Sequence, residues 1–159
     1  MTDPSFQYCI DTSSLVHAYQ RSYPPDVIPA LWENKLDELI DSGNLISPYD
    51  VYDELQKKHD ELFAWAKQRE KLFVEIDQFE DELAEIMKEY PRLVDTRKGK
   101  SGADPMVVAL AVSKNPQLTV ITEEGFGNET SPRIPYVCSM YNLRCINVLQ
   151  LLRDQAWQF

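Results

Sequence analysis

The chain has 159 residues, enough for one domain with a substantial core, and its 43% hydrophobic and 11% aromatic content excludes a disordered protein. A formal charge of -10 excludes general electrostatic attraction to nucleic acid, though not a local site where cations neutralise clustered carboxylates. The N-terminus carries no basic segment followed by an apolar stretch, and no apolar run approaches a membrane span, so the expectation is a soluble cytoplasmic protein without membrane contact.

The first strand is predicted at Phe6–Asp11, a short apolar run that ends in a carboxylate and gives way to Thr12-Ser13-Ser14. A buried parallel strand that delivers one acid to its carboxyl end has this pattern, and ligands in open α/β sheets bind beyond such ends. Ser13 or Ser14 is expected to cap a short helix through Tyr19, which Tyr23-Pro24-Pro25 terminates. A second helix is expected from Asp26, with Leu31, Trp32, Leu36, Leu39 and Ile40 on one face and Gly43 at its C′ position. Leu45-Ile46 reads as a very short strand. Ser47, Pro48 and Asp50 then have the pattern of an N-cap, a first-turn proline and a capping-box acid.

From Tyr49 to Tyr90 the apolar spacing is helical, in two or more pieces, and reads as a helical hairpin inserted in the domain. Arg92 to Ser101 reads as a loop, with Arg92, Arg97, Lys98 and Lys100 as a local basic cluster. Such a run is an ordinary solvated loop unless it borders a site, where it would grip a phosphate backbone. Asp104-Pro105 opens a very apolar helix, with the acid at or beside its N-cap. Leu118–Thr122 is a buried strand that runs into Glu123-Glu124-Gly125, repeating the pattern of the first strand. A Gly/Pro-rich loop, a short helix near Tyr136, a strand at Arg144–Val148 and a terminal helix follow. Strands separated by helices predict an α/β fold, a three-layer α/β/α sandwich around a central parallel sheet. The three cysteines, Cys9, Cys138 and Cys145, lack paired metal-ligand spacing and read as reduced thiols.

Asp11, Asp104 and the Glu123/Glu124 pair lie where strand ends or a helix start would gather them, and Glu54 sits close to the apolar stripe of its own helix. Each alone has an ordinary role in capping or solvation. Together they would repel one another and resist ionisation unless something positive lies among them. A hard divalent cation, Mg2+ or Mn2+, accepts oxygen ligands and works with phosphate substrates. His17 and His59 lack ligand-like spacing.

Cys9-Ile10-Asp11-Thr12-Ser13, Val51-Tyr52-Asp53-Glu54-Leu55, Gly102-Ala103-Asp104-Pro105 with the helix to Ala111, and Val120-Ile121-Thr122-Glu123-Glu124 together resemble the four acidic motifs of a PIN domain. They occur in that family's order and span nearly the whole chain; the nearest resemblance is to PIN-like proteins related to VapC-type toxins. The resemblance implies a Mg2+- or Mn2+-dependent ribonuclease, with Asp11, Glu54 and Asp104 as metal ligands and catalytic acids. Glu124 would be the fourth acid, with Glu123 its alternative; many relatives carry aspartate there. Thr12, Ser13 and Thr122 would orient carboxylates or waters, and Arg97, Lys98 and Lys100 would hold the RNA backbone. RNA substrate, an antitoxin protein and a homodimer partner are the partners implied. Two rival readings are a PIN-fold RNA- or protein-binding adaptor without catalysis and a haloacid-dehalogenase type phosphohydrolase. The latter expects an acid two residues after the first, where this chain has Ser13.

Overall fold

The computed structural model describes residues 6–58, 60–94 and 102–159. Five parallel strands form one sheet: β1 (Tyr8–Ile10), β2 (Leu45–Pro48), β3 (Phe73–Val74), β4 (Thr119–Ile121) and β5 (Cys145–Ile146), in the order β3-β2-β1-β4-β5. Between them run α1 (Thr12–His17), α2 (Leu36–Asp41), α3 (Tyr49–Lys58), α4 (Asp60–Lys67), α5 (Glu80–Glu89), α6 (Asp104–Ser113) and α7 (Ile134–Met140), and α8 (Val148–Asp154) follows β5. Helices flank the sheet as the outer layers of an α/β/α sandwich. Every residue of β1 and β4 is buried. Successive strand side chains point to opposite faces, so burial of all of them requires cover on both.

The chain starts in the middle of the sheet, steps outward through β2 to β3, then crosses back to place β4 on the other side of β1. The order therefore reverses between β1 and β4. In doubly wound sheets that reversal opens a crevice at the carboxyl ends of the two strands. Asp11 ends one of them and Thr122-Glu123-Glu124 follow the other.

Helix α6 makes the return crossing. It is apolar on all sides, and Asp104, Pro105 and residues 107–111 are all buried, because it lies between β1, β2 and β4 on one side and α5 on the other. A second knot of the core joins the helices that follow β1 and β2. Trp32 meets Tyr19 and Trp65 edge-to-face at 4.9 and 5.0 Å, and its indole N–H donates to the Tyr23 carbonyl at 2.6 Å. Arg69 stacks over Trp65 and pairs with Asp37 at 2.6 Å. Among the described residues no helix is long and apolar enough to cross a membrane.

Several local expectations change. The stretch 49–90 is not a plain helical hairpin: β3 interrupts it and pairs in parallel with β2, Ser47 opposite Phe73 and Pro48 opposite Val74. Two residues are too short to show a strand period, so only the partner strand reveals it. The helix expected from Asp26 starts later and passes through a π-type turn at Leu31–Lys35 before α2, although its five apolar residues are all buried as expected. Gly43 does take the left-handed conformation at the helix end, with φ +80. Ser47 does not cap α3. Fully buried in β2, its hydroxyl donates to the Ile10 carbonyl at 2.6 Å. That bond anchors the residue immediately before Asp11. Replacing Ser47 by Ala leaves a buried carbonyl acceptor without this donor, and is expected to lower unfolding free energy by about 1–2 kcal/mol in urea denaturation.

Candidate active site

Asp11 is carried by both central strands. Its backbone N–H donates to Ile121 of β4 at 3.1 Å, and its side chain is 1% exposed. The carboxylate, rather than Ser13 or Ser14, caps α1: Oδ1 accepts the Ser14 backbone N–H at 2.8 Å. Two hydroxyls complete its shell. Ser13 Oγ donates to Oδ2 at 2.8 Å, and Thr122 Oγ1 donates to Oδ2 at 2.5 Å. Each hydroxyl in turn accepts a backbone N–H from the loop after β4, Ser13 from Glu123 and Thr122 from Glu124, both at 3.1 Å. The loop that bears the fourth acid is thus tied to the first acid by two short relays.

Glu54 on α3 is held by a third hydroxyl, since Thr12 Oγ1 donates to its Oε1 at 2.7 Å. Asp104, the first residue of α6, is 2% exposed, and the Glu124 side chain is 8% exposed. The two carboxyls face each other at hydrogen-bonding range. One oxygen of each, Asp104 Oδ2 and Glu124 Oε2, is buried without an N–H or O–H donor. Burial, then the Glu124 charge and this contact, then the charges of Asp11 and Glu54, hold the Asp104 carboxyl far above the usual carboxylate range. Burial also pushes Asp11 from 3.8 up to about 6, with Glu124 adding to the rise and Thr122, Ser14 and Ser13 opposing it.

Of the two adjacent glutamates, Glu124 faces Asp104. Glu123 turns toward α8, where its Oε1 accepts the Val148 backbone N–H at 3.1 Å. Asp11, Glu54, Asp104 and Glu124, from four separated segments, therefore converge, and Thr12, Ser13 and Thr122 are the hydroxyls that hold Glu54 and Asp11. Arg97, Lys98, Lys100 and His59 lie outside the described residues. A cation that sequence reasoning passed over stands at the site instead. Arg133 reaches Glu124 Oε1 at 3.5 Å, and its buried Nε has no partner. The one signal for it was its place as the sole basic residue in the segment 125–135.

The donor set fits a hard cation: carboxylate oxygens only, two of them buried and unsatisfied, in a cluster where burial and acidic neighbours raise Asp11 and Asp104. Among the described residues no three acids, histidines or cysteines stand close enough to enclose an ion by themselves. Mg2+ or Mn2+ held here would keep much of its water shell, which is the usual habit of Mg2+.

The metal-free protein should consequently resist unfolding less as pH rises. A carboxyl whose folded pKa lies above its unfolded value binds its proton more tightly when folded, so stability falls across the interval between the two values. For Asp11 that interval runs from about 4 to about 6 and corresponds to roughly 3 kcal/mol. Asp104, raised in the same direction, extends the decline toward and past neutral. In EDTA, urea unfolding is expected to show lower stability at pH 8 than at pH 5. Asp104→Asn should flatten the upper part of that slope and be more stable than wild type at pH 8. A wild-type profile that rises over this range would contradict the buried, unneutralised cluster.

Compared with known protein families, residues 8–159 match the family described as Domain of unknown function (DUF4411). No curated protein matches the chain. No solved structure matches it either. With nearly its whole length aligned, from β1 to the final residue, the chain belongs to the DUF4411 family.

Proposed function

We propose that the chain is a PIN-like, metal-dependent ribonuclease, an endonuclease that hydrolyses RNA phosphodiester bonds, acting as the toxin of a toxin–antitoxin pair. The observation that carries this reading is the convergence of Asp11, Glu54, Asp104 and Glu124 at the reversal point of the sheet, with two buried carboxylate oxygens lacking donors. Four separated chain segments bring acids together at a cost in self-repulsion, and a packed core gains nothing from that arrangement.

Asp11, Glu54, Asp104 and Glu124 would hold the cation, and the protein's hydroxyls do the positioning. Thr12 sets the rotamer of Glu54, and Ser13 and Thr122 direct Asp11. Bound there, Mg2+ or Mn2+ supplies neutralisation of a phosphate and a more acidic water. Asp104, raised by burial and by its acidic neighbours, would keep its proton until a cation takes its place. Arg133, whose bond to Glu124 is long, is positioned to exchange that carboxylate for a phosphate oxygen.

One observation favours a second reading, an RNA- or protein-binding adaptor on the same fold: no three side chains among the described residues enclose an ion unaided. Mn2+ separates the two. At about a hundredfold excess over its dissociation constant, an ion that binds only the folded state stabilises by roughly 2.7 kcal/mol, or about 5–10 °C in a domain of this size. The wild type is expected to show that rise and to cleave single-stranded RNA. Asp104→Asn should lose most of the rise and cut roughly 100-fold more slowly. RNA bound without cleavage, and no Mn2+ effect on melting, would favour the adaptor.

A further inference from the structure

Next to Glu124 a cavity of 380 Å³ opens at the carboxyl ends of β4 and β5, and Thr122 and Glu124 form its wall toward the acids. Its opposite side is of another character. Phe126, Pro135 and Leu143 line it with apolar surface, and Asn147 and Gln150 contribute amides from the start of α8. Phe126 is 54% exposed, an unusual place for a phenyl ring, and it is not loose. It packs edge-to-face on Tyr136 of α7 with centroids 5.4 Å apart.

The loop beneath the ring is built to hold it. Asn128 Oδ1 accepts the backbone N–H groups of Thr130 and Ser131, and Gly127 pairs with Pro132 across the loop. Gly127 is at φ +75, and a Cβ there would stand 2.7 Å from the Arg133 backbone nitrogen. This tight closure sets Phe126 and Arg133 on the same short frame, the ring on the cavity and the guanidinium on Glu124.

The geometry points to a nucleotide subsite: the base of one unpaired residue of an RNA strand lies on Phe126 in this cavity, and its phosphate reaches Arg133 and the acid cluster. The assignment rests on the nuclease reading for the position of the cleaved bond. Single-stranded nucleic acid is held by aromatic faces that stack on bases beside positive groups that take the backbone. The cavity borders the acids directly, so an occupant base belongs to a nucleotide adjoining the bond that would be cut. The carbonyl oxygens of Asn147 and Gln150 are both engaged in capping α8, at 2.9 and 3.0 Å. What those amides can offer a ligand is N–H donors, which suits the acceptor atoms of a base edge.

The test uses the full chain with Mn2+ and hexanucleotide RNAs carrying the fluorescent base 2-aminopurine at successive positions, since stacking quenches its emission. The expected result is quenching at one position next to the cleaved bond, lost in Phe126→Ala and retained in Phe126→Trp. Stacking by one aromatic residue corresponds to roughly 5- to 150-fold in binding, so Phe126→Ala should raise KM for cleavage within that range while kcat changes little. Cleavage with no Phe126-dependent quenching at any position overturns the subsite and leaves the nuclease reading standing. Phe126-dependent quenching without cleavage keeps the subsite as a base-binding site and overturns the nuclease. Neither quenching nor cleavage overturns both.

Discussion

A carboxylate buried at the carboxyl end of the central strand sets the terms for much of the molecule. Asp11 has almost no contact with water, so its charge must be met by protein groups or be lost to protonation. The groups that meet it come from both sides of the sheet reversal. Ser13 and the Ser14 N–H belong to the turn after β1, and Thr122 belongs to the turn after β4. The backbone of the next two residues then hydrogen-bonds the same two hydroxyls. The first helix, the register of the two central strands and the course of the β4 loop are thereby all coupled to one side chain. Charge-assisted bonds of this kind are stronger than neutral ones, and in a site with little water they also fix geometry.

The neighbouring pair works in the opposite sense. Asp104 Oδ2 and Glu124 Oε2 are each buried without a donor, and burial together with the neighbouring acids holds the Asp104 carboxyl far above the usual carboxylate range. The protein therefore places a well-solvated-by-protein acid beside a poorly satisfied pair. Structural economy alone would have replaced one member of that pair with an amide. Under the proposed function, entry of a cation would relieve this cost and link folding stability to occupancy of the site.

Rigid and adaptable parts are divided accordingly. Helix α6, almost wholly buried, fixes Asp104; the Trp32–Trp65 contact and the Arg69–Asp37 pair brace α4, which packs against α3, the helix that carries Glu54. The segment after Glu124 is different, exposed to solvent but closed on itself through Asn128 and Gly127, and it presents an aromatic ring and a guanidinium beside the acids. Under the proposed function, a ring and a guanidinium on a braced loop beside the acid cluster would suit a ligand with alternating bases and phosphates.

Composition and pattern were enough to place the chain among α/β sandwiches, because long-range repetition of apolar strand, polar turn and amphipathic helix is a local property summed along the sequence. The same reading singled out Asp11, Glu54, Asp104 and the Glu123-Glu124 pair, since each follows a strand or opens or lines a helix. It placed Ser47 as a helix cap and missed β3, because a hydroxyl's partner and a two-residue strand are defined by residues 25 or more positions away. Tertiary structure alone decided that Glu124 faces Asp104 while Glu123 caps α8. Adjacent residues on an extended loop point in opposite directions, and sequence carries no signal for which direction meets the crevice. Arg133 and Phe126 belong to the same class: their significance arises from a loop closure in three dimensions, where a positive φ at Gly127 and an Asn128 turn bring them to the acids.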